Sequence, residues 1–219
     1  MGPGAAAQAF AAVVRLSGER LSIFPLYGVI LFPGLQLPLH VFEPRYRALV
    51  GSALARDRRI AMIQPQSARE GVALFGMGCV GRIEDVEALE DGRYNIVLEG
   101  EARFRLLREL EVSTPFRQVE GELIDDPEFE AISAVERASF EREAREFADR
   151  QGYSVDWGSV AQLDDLTLIN GVSQIAPFDG AAKQALLEAP DIATRCELLV
   201  QLMQFFGRSD PDEERVTLQ

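Results

Sequence analysis

The sequence is poor in the residue types on which most enzyme active sites depend. Its 219 residues include a single lysine, Lys183, and a single histidine, His40. A phosphate-binding P-loop ends in Lys followed by Ser or Thr, whereas Lys183 is followed by Gln184. A Ser-His-Asp triad would have to use His40, which lies in the apolar run Leu39-His40-Val41, and the chain has no GxSxG nucleophile motif. The two counts therefore argue against nucleotide hydrolysis and serine-hydrolase chemistry.

Metal ligands, cysteines and long apolar runs are also scarce. A zinc site needs three or four clustered ligands, and His40 with the distant Cys79 and Cys196 does not supply them. We expect both cysteines to be buried thiols in a reducing cytosol, and we expect no metal and no cofactor. The chain has no run of about 18 apolar residues. Met1–Val14 has no Lys or Arg before its apolar stretch, so the sequence predicts neither a membrane span nor a signal peptide but a cytoplasmic protein.

Negative charge is concentrated in the second half of the chain. Residues 1–118 contain 14 arginines and 13 acidic residues, whereas residues 119–219 contain 8 basic and 22 acidic residues. The formal net charge of -13 therefore arises in the second half. Phosphate backbones and anionic lipids repel such a surface, so we expect neither a nucleic-acid partner nor a membrane partner. The acidic surface is either simply solvated or favours basic partners.

The first half has the pattern of a β-rich fold. Short apolar runs separated by turn residues predict strands over residues 21–26, 37–42, 59–64, 76–86, 93–100, 102–110 and 116–124. Asp91-Gly92 favours a hairpin between the fourth and fifth of these strands, because Gly tolerates a positive φ. Glu43-Pro44 predicts the start of a helix, since proline suits the first helical turn.

The second half has helical periodicity. Helices are predicted over residues 132–150, 160–175 and 181–188, and a last helix is expected to be capped by Asp191. The change of period divides the chain into four parts. These are a flexible extension over residues 1–18, a β-rich subdomain over 19–126, a helical subdomain over 127–207 and a tail over 208–219.

Several motifs in order resemble the N-terminal domain of Lon proteases. They are Phe24-Pro25-Leu26, Leu31-Phe32-Pro33-Gly34, the run from Pro38 to Arg47, Gly78-Cys79-Val80-Gly81-Arg82-Ile83, Asp91-Gly92-Arg93, the run from Leu98 to Phe104, and Lys183-Gln184-Ala185-Leu186-Leu187-Glu188 with Arg195. The resemblance covers roughly residues 21–206. It implies an α+β fold in which a PUA-like, β-barrel-type subdomain precedes a C-terminal helical bundle.

The resemblance also implies a function. In Lon, this domain helps to recognise substrate proteins, and an ATPase and a Ser-Lys peptidase follow it. The sequence ends at Gln219, so we expect a stand-alone form without either part. A Ser-Lys peptidase would have to use Lys183, whose ammonium we expect to face solvent or a carboxylate. We therefore predict a non-catalytic module that binds unfolded or apolar protein segments, with a protease or a chaperone as a further candidate partner.

Two alternative functions remain open at this point. PUA-like folds in other families bind RNA, and the first half contains Arg56, Arg58 and Arg59 together. The 35 acidic residues offer many pairs for a carboxylate-dependent hydrolase. Neither alternative has a distinctive motif, and the net charge argues against the first.

The segment from Tyr27 to Leu35 is more apolar than most loops. The favoured interpretation is that this loop folds over the end of the barrel as part of the core. The alternative is that Tyr27, Leu31, Phe32 and Leu35 are candidate contacts for a bound peptide, since large side chains held by Pro33-Gly34 would make suitable anchors. Two further expectations concern backbone and charge. Gly34 and Gly100 should permit conformations or approaches that a Cβ would block, and Arg103 and Arg105 should both leave the core face that Phe104 joins.

Overall fold

The structure is a computed structural model that describes residues 18–69, 71–125 and 131–207. The predicted extension over residues 1–18, apart from Gly18, and the predicted tail over 208–219 lie outside the described residues. Residue 126, the predicted boundary between the subdomains, also lies outside them. These boundaries therefore stay predictions.

The described residues form six strands and six helices, which confirms the α+β class. The strands are β1 (Glu19–Pro25), β2 (Gln36–Val41), β3 (Arg59–Pro65), β4 (Leu74–Ala88), β5 (Tyr94–Leu110) and β6 (Gln118–Leu123). The helices are α1 (Pro44–Leu54), α2 (Ala134–Gln151), α3 (Trp157–Val160), α4 (Asp165–Ile175), α5 (Gly180–Glu188) and α6 (Ile192–Phe206). Pro44 occupies the first turn of α1, as the sequence predicts.

The strands form one sheet that closes on itself. Its order is β2-β5-β4-β3-β1-β6, and β6 also pairs with β5, so that β1, β3, β4, β5 and β6 make a strand ring. Within this ring β1 and β3 are parallel and the other neighbours are antiparallel. Strand β2 pairs with the first part of β5, whereas β6 pairs with its last part. The sheet is therefore barrel-like without being a regular barrel.

One predicted break in the sheet is wrong. Residues 93–100 and 102–110 belong to the single strand β5 and not to two strands. Opposite them, Val80 pairs with Ala102 and Gly81 with Gly100, which leaves Glu101 as an extra residue in the ladder. Such a bulge bends a strand without ending it, so the irregular pattern around Gly100 does not mark a turn.

The prediction for the middle of the helical half is also wrong. The helix expected over residues 160–175 begins only at Asp165, as α4, and Val160 is instead the last residue of the short α3. The Asp164 carboxylate accepts a hydrogen bond from the Thr167 backbone N–H at 2.8 Å, so a new helix begins there. The predicted cap at Asp191 is confirmed, because its carboxylate accepts from the Thr194 N–H at 2.7 Å.

Apolar residues gather in three clusters. One draws on all five strands of the ring and contains Ile23, Ala61, Val80 and Phe104. Their chain neighbours Phe24, Met62 and Cys79 belong to a second cluster, which α1 covers. Since successive strand residues point to opposite faces, the ring is apolar on both faces. The third cluster lies among the helices and also receives Ile30 and Phe32 from the sheet half.

A polar seam joins the sheet half to the helices. Gln64 is buried, and its side-chain N–H group donates to the Gly180 carbonyl and to the Gln184 amide oxygen, both at 3.1 Å. The Gln64 amide oxygen accepts from the Gly28 N–H at 2.9 Å. Gln184 in turn donates to the Met77 carbonyl at 3.0 Å. These bonds satisfy buried polar groups on both sides and set the position of α5 against the sheet.

Arg103 and Lys183 are buried at this seam, and for Lys183 this is contrary to expectation. Arg103 is 4% exposed and donates to the Leu187 and Ala189 carbonyls, both at 2.7 Å. Arg105 is the exposed member of the pair. Lys183 is 9% exposed and donates to the Gln174 carbonyl at 3.1 Å, and no carboxylate of the described residues pairs with it. Both cations donate to backbone carbonyls of the helical half, a role that residue spacing does not reveal.

Candidate functional site

The structure separates the four predicted peptide-contact residues. Leu31 and Phe32 are fully buried, Leu31 in the α1 cluster and Phe32 in the helical cluster. Leu35 is partly buried against the helical cluster. Tyr27 is 43% exposed, and its ring packs beside Gly180. Leu31 and Phe32 are therefore core residues, the interpretation that the sequence favours for this loop, and neither offers a surface to a peptide.

Backbone bonds explain why this loop is buried. The Gly34 N–H donates to the Gly100 carbonyl and the Gly100 N–H donates to the Leu35 carbonyl, both at 2.9 Å. A Cβ at Gly100 would collide with the Phe32 carbonyl, and Gly34 has a φ of +76°, so both glycines are required as the sequence predicts. The Arg195 guanidinium lies 4.8 Å from the centre of the Phe32 ring. The loop thus connects the two halves.

An open surface lies in the helical half, at a place that the sequence analysis did not select. A cavity of about 550 Å³ runs between α2 and α4, and we call it the apolar groove. Its lining comprises Phe140, Glu141, Ala144, Phe147 and Ala148 of α2, Thr167, Leu168, Gly171, Val172 and Ile175 of α4, the residues Tyr153, Ser154, Val155, Trp157, Val160 and Leu163 that connect the two helices, and Ala176, Pro177 and Met203. Its volume falls in the range of ligand pockets, about 300–1,000 Å³.

Helical spacing creates the floor of the groove. Phe140, Ala144, Phe147 and Ala148 recur at intervals that place them on one face of α2. Gly152 ends this helix with a φ of +73° and turns the chain away. The chain then returns through the short α3, which has no buried residue of its own. Because this connection is thin, the apolar faces of α2 and α4 are only partly covered.

The rim of the groove exposes large apolar side chains. Ile175 is 77% exposed, Tyr153 50% and Leu163 39%. Trp157, the only tryptophan of the chain, also lines the groove, and the Arg145 guanidinium lies 4.4 Å from the centre of its ring. That contact holds the indole at the rim. Clustered apolar exposure of this kind marks interaction surfaces.

The two polar lining residues on the groove helices, Glu141 and Thr167, are already engaged. Glu141 is the only acid among the described lining residues, and it accepts from the Arg137 guanidinium at 2.9 Å. Asp165 accepts from the same guanidinium, so Arg137 serves two carboxylates. The Thr167 hydroxyl donates to Asp164 at 2.8 Å. A carboxylate pair suited to hydrolysis is thus absent from the described lining of the groove.

The cysteine thiols and the lysine are all buried. Burial raises the pKa of the Cys196 thiol to about 11, so it is protonated at neutral pH, and Cys79 is also buried. Burial lowers the pKa of Lys183. Among residues 18–69, 71–125 and 131–207, no cluster of three or more His, Cys, Asp or Glu side chains is arranged to hold a metal ion. None of the helices in the same described ranges is long and apolar enough to cross a membrane.

The arginines behind the RNA alternative are mostly engaged within the sheet half. The Arg58 side chain donates to the Ile83 carbonyl at 2.8 Å. Arg59 pairs with Glu101 at 2.9 Å. The side chains of Arg58 and Arg59 are therefore already bonded to other groups of the protein. Nothing in the described part of the sheet favours a nucleic-acid site.

The comparisons with known proteins agree with the fold. The family model of the ATP-dependent protease La (LON) substrate-binding domain matches residues 20–204. The chain belongs to this family. Similar proteins include Lon protease 2 of Myxococcus xanthus, 28% identical over 193 residues, and the Lon protease of Roseiflexus castenholzii, 33% identical over 129 residues. These alignments cover 84% and 58% of this chain. They cover 23% and 16% of the relatives, so the chain spans less than a quarter of their length.

Solved Lon domains share the fold. The Lon N-terminal domain protein of Xanthomonas campestris superposes with a TM-score of 0.65 at 21% identity, covering 84% of this chain and 98% of that one. The N-terminal domain of the Mycobacterium avium complex Lon protease gives a TM-score of 0.63 at 20% identity, with 85% and 98% coverage. The Lon substrate-binding domain family therefore accounts for both the sheet half and the helical half.

Sequence reasoning missed the groove for an identifiable reason. Aromatic residues in a loop suggest a binding surface, whereas apolar residues repeated along one face of a helix usually indicate core. The apolar face of α2 does contain the buried residues Phe140 and Phe147. One signal was available. Tyr153 and Trp157 lie between Gly152 and Gly158, in a segment too short and too polar to form a core of its own.

Proposed function

We propose that this domain is a non-catalytic module that binds apolar segments of other polypeptide chains in the apolar groove. The observation that carries the proposal is the open, apolar lining between α2 and α4 with Ile175 exposed at its rim. Membership of the Lon substrate-binding domain family supports a role in recognising protein substrates. Unfolded proteins expose such segments, so they are the expected ligands, and a protease or a chaperone is the expected functional partner.

Trp157 provides a direct test. Because the single tryptophan lines the groove, its fluorescence should change when a permanently unfolded, carboxymethylated protein is titrated into the full chain. Gly171→Phe should abolish that change, because Gly171 lines the groove and a Cβ there meets no atom within 4 Å. Gly51→Phe is the matched control, since Gly51 is also helical and unobstructed but lies on α1. Equal binding by the two variants would contradict the proposal.

The non-catalytic part has its own test. We expect the purified chain to cleave no casein with or without ATP, because Lys183 is the only lysine and is bonded to the Gln174 carbonyl. Cleavage that disappears in Lys183→Ala would contradict this.

Tyr27 and Leu35 are retained as a second candidate contact. Tyr27→Ser should weaken binding only if the ligand extends from the groove to the sheet half.

A further inference from the structure

The walls of the apolar groove are helices whose backbone is already paired. Helices α2 and α4 provide ten of its lining residues. Inside an α-helix each N–H donates to a carbonyl four residues earlier, so the interior turns of these walls offer no backbone groups to a ligand. The polar side chains that the two helices contribute, Glu141 and Thr167, are bonded to Arg137 and Asp164. The two helical walls therefore have little with which to pair another backbone.

This property discriminates between ligand conformations. An extended segment in the groove would press its own N–H and C=O groups against Ala144, Ala148 and Gly171, where they would lose water without gaining partners. A helical segment satisfies its backbone internally and presents only side chains. The same three small residues leave room for a helix to approach closely, with its large side chains directed towards Phe147 and Trp157.

The charge around the groove constrains the rest of the ligand. Residues 131–207 contain 12 acidic and 6 basic residues, and two of the basic ones, Lys183 and Arg195, are buried. Asp149, Asp156 and Asp164 directly adjoin lining residues in the sequence. Hydrogen bonds from Ser159 and Thr167 hold the pKa of Asp156 and Asp164 below the usual range, so both stay ionised well into acid. A cationic outer face on the ligand matches this surface.

We infer that the groove binds its polypeptide ligand as an amphipathic α-helix, with apolar side chains in the groove and lysine or arginine on the outer face. This inference rests on the proposed function and adds the conformation and the charge of the ligand. The apolar anchors recur at i, i+3 or i+4, and i+7, the spacing that keeps them on one side of a helix.

Matched synthetic peptides test the inference on the full chain. The parent peptide has about 18 residues, leucines at that spacing and lysines elsewhere, because shorter helices are marginal in water. A second peptide carries proline at a central outer position, which breaks the helix and keeps every leucine. A third replaces the lysines with glutamates. None contains tryptophan, so Trp157 fluorescence reports binding and far-ultraviolet circular dichroism reports helix formation.

The expected result is that the parent binds at least about tenfold more tightly than the proline peptide and gains helicity on binding. The glutamate peptide should bind more weakly than the parent, and added salt should narrow that difference. Gly171→Phe should abolish binding of the parent, whereas Gly51→Phe should not. Circular dichroism of both variants establishes that they are folded.

The outcomes separate this inference from the proposed function. Equal affinity for the parent and proline peptides would overturn the helical ligand, and equal affinity for the parent and glutamate peptides would overturn the charge preference. In either case, loss of unfolded-protein binding in Gly171→Phe would leave the proposed function standing. Binding of both ligands that is indifferent to Gly171→Phe would overturn both, because the groove would then not be the site.

Discussion

The sheet half and the helical half bury apolar residues differently. In the strand ring, neighbours such as Ile23 and Phe24 enter separate clusters on opposite faces, and both faces are filled. In the helical half, Phe140 and Phe147 are buried but border an open groove. Closure of the ring leaves little unfilled space in the sheet half, whereas helices α2 and α4, which are joined by a thin connection, leave a gap between them. The closed part of the molecule and its candidate binding surface are therefore different regions.

The largest expected effect is in the closed half. Phe24→Ala should lower the free energy of unfolding by about 3–5 kcal/mol, as large-to-small core substitutions do. Phe24 is 5% exposed and stacks on Tyr46 with ring centres 4.1 Å apart. Phe42→Ala is the control, because Phe42 is 60% exposed and its loss should cost less than about 0.5 kcal/mol. Urea denaturation measures both, and similar values would show that Phe24 is not part of a closed core.

A second prediction breaks the connection between the halves. Arg103→Met should lower stability by about 2–3 kcal/mol, because it removes charged donors from the buried Leu187 and Ala189 carbonyls. Arg105→Met, two residues along the same strand, removes an exposed pair with Glu122 and should cost less than about 1 kcal/mol. Unfolding curves followed by Trp157 fluorescence and by circular dichroism should separate in the Arg103 variant. Curves that remain coincident would show that the seam is not what couples the halves.

A third prediction compares the space inside each half. A Cβ on Gly78 would lie 2.6 Å from the Phe104 ring, so Gly78→Ala should destabilise the protein by about 1–3 kcal/mol. Gly171→Ala should instead raise stability by about 0.5–1 kcal/mol, since the helix gains propensity and the new methyl group meets nothing. Thermal unfolding of the two variants decides the matter. A loss in Gly171→Ala would mean that the groove is closed in solution.

The smallest expected effect concerns acid. Carboxylates cap α3, α4 and α6, whereas α1 in the sheet half has no side-chain cap bond. Hydrogen bonds from the Thr167 and Thr194 N–H groups hold the pKa of Asp164 and Asp191 below its ordinary value. Their contribution to stability is therefore complete above the unfolded pKa of about 3.9 and is lost as the pH falls through the lower folded pKa.

Trp157 fluorescence should accordingly report unfolding of the helical half at low pH. Asp164→Asn keeps a capping oxygen that does not titrate, so it should reduce the acid sensitivity without a large change at neutral pH. An unchanged acid transition in that variant would assign the sensitivity to other carboxylates.

Much of the fold could be predicted from local pattern. The strands up to Gln64, the hairpin at Asp91-Gly92 and the last helix follow from residue period and turn chemistry, which act within a few residues. The errors occur where distant contacts decide. The bulge at Glu101 depends on the register with β4, and the division of residues 157–175 into two helices depends on the cap at Asp164.

At the candidate site, distant contacts decide even more than they do in the fold. Phe32 and Trp157 are both aromatic residues within two positions of a glycine in apparently irregular segments, yet Phe32 is fully buried and Trp157 lines the groove. The two side chains differ in which residues pack over them. Gly100 and Arg195 enclose Phe32, and both are distant in sequence, whereas only Arg145 lies over the indole of Trp157 among the cation–ring contacts of the described residues.

By itself the sequence determined the class of fold, the family resemblance and the poverty in catalytic residues, because composition, period and motif order are properties of the chain alone. Only the tertiary structure decided which apolar residues remain accessible, that Arg103 and Lys183 are buried, and that the groove lies between α2 and α4. Accessibility depends on whether a distant segment packs over a side chain. That outcome is set by the closure of the strand ring and the spacing of the helices, which no local pattern encodes.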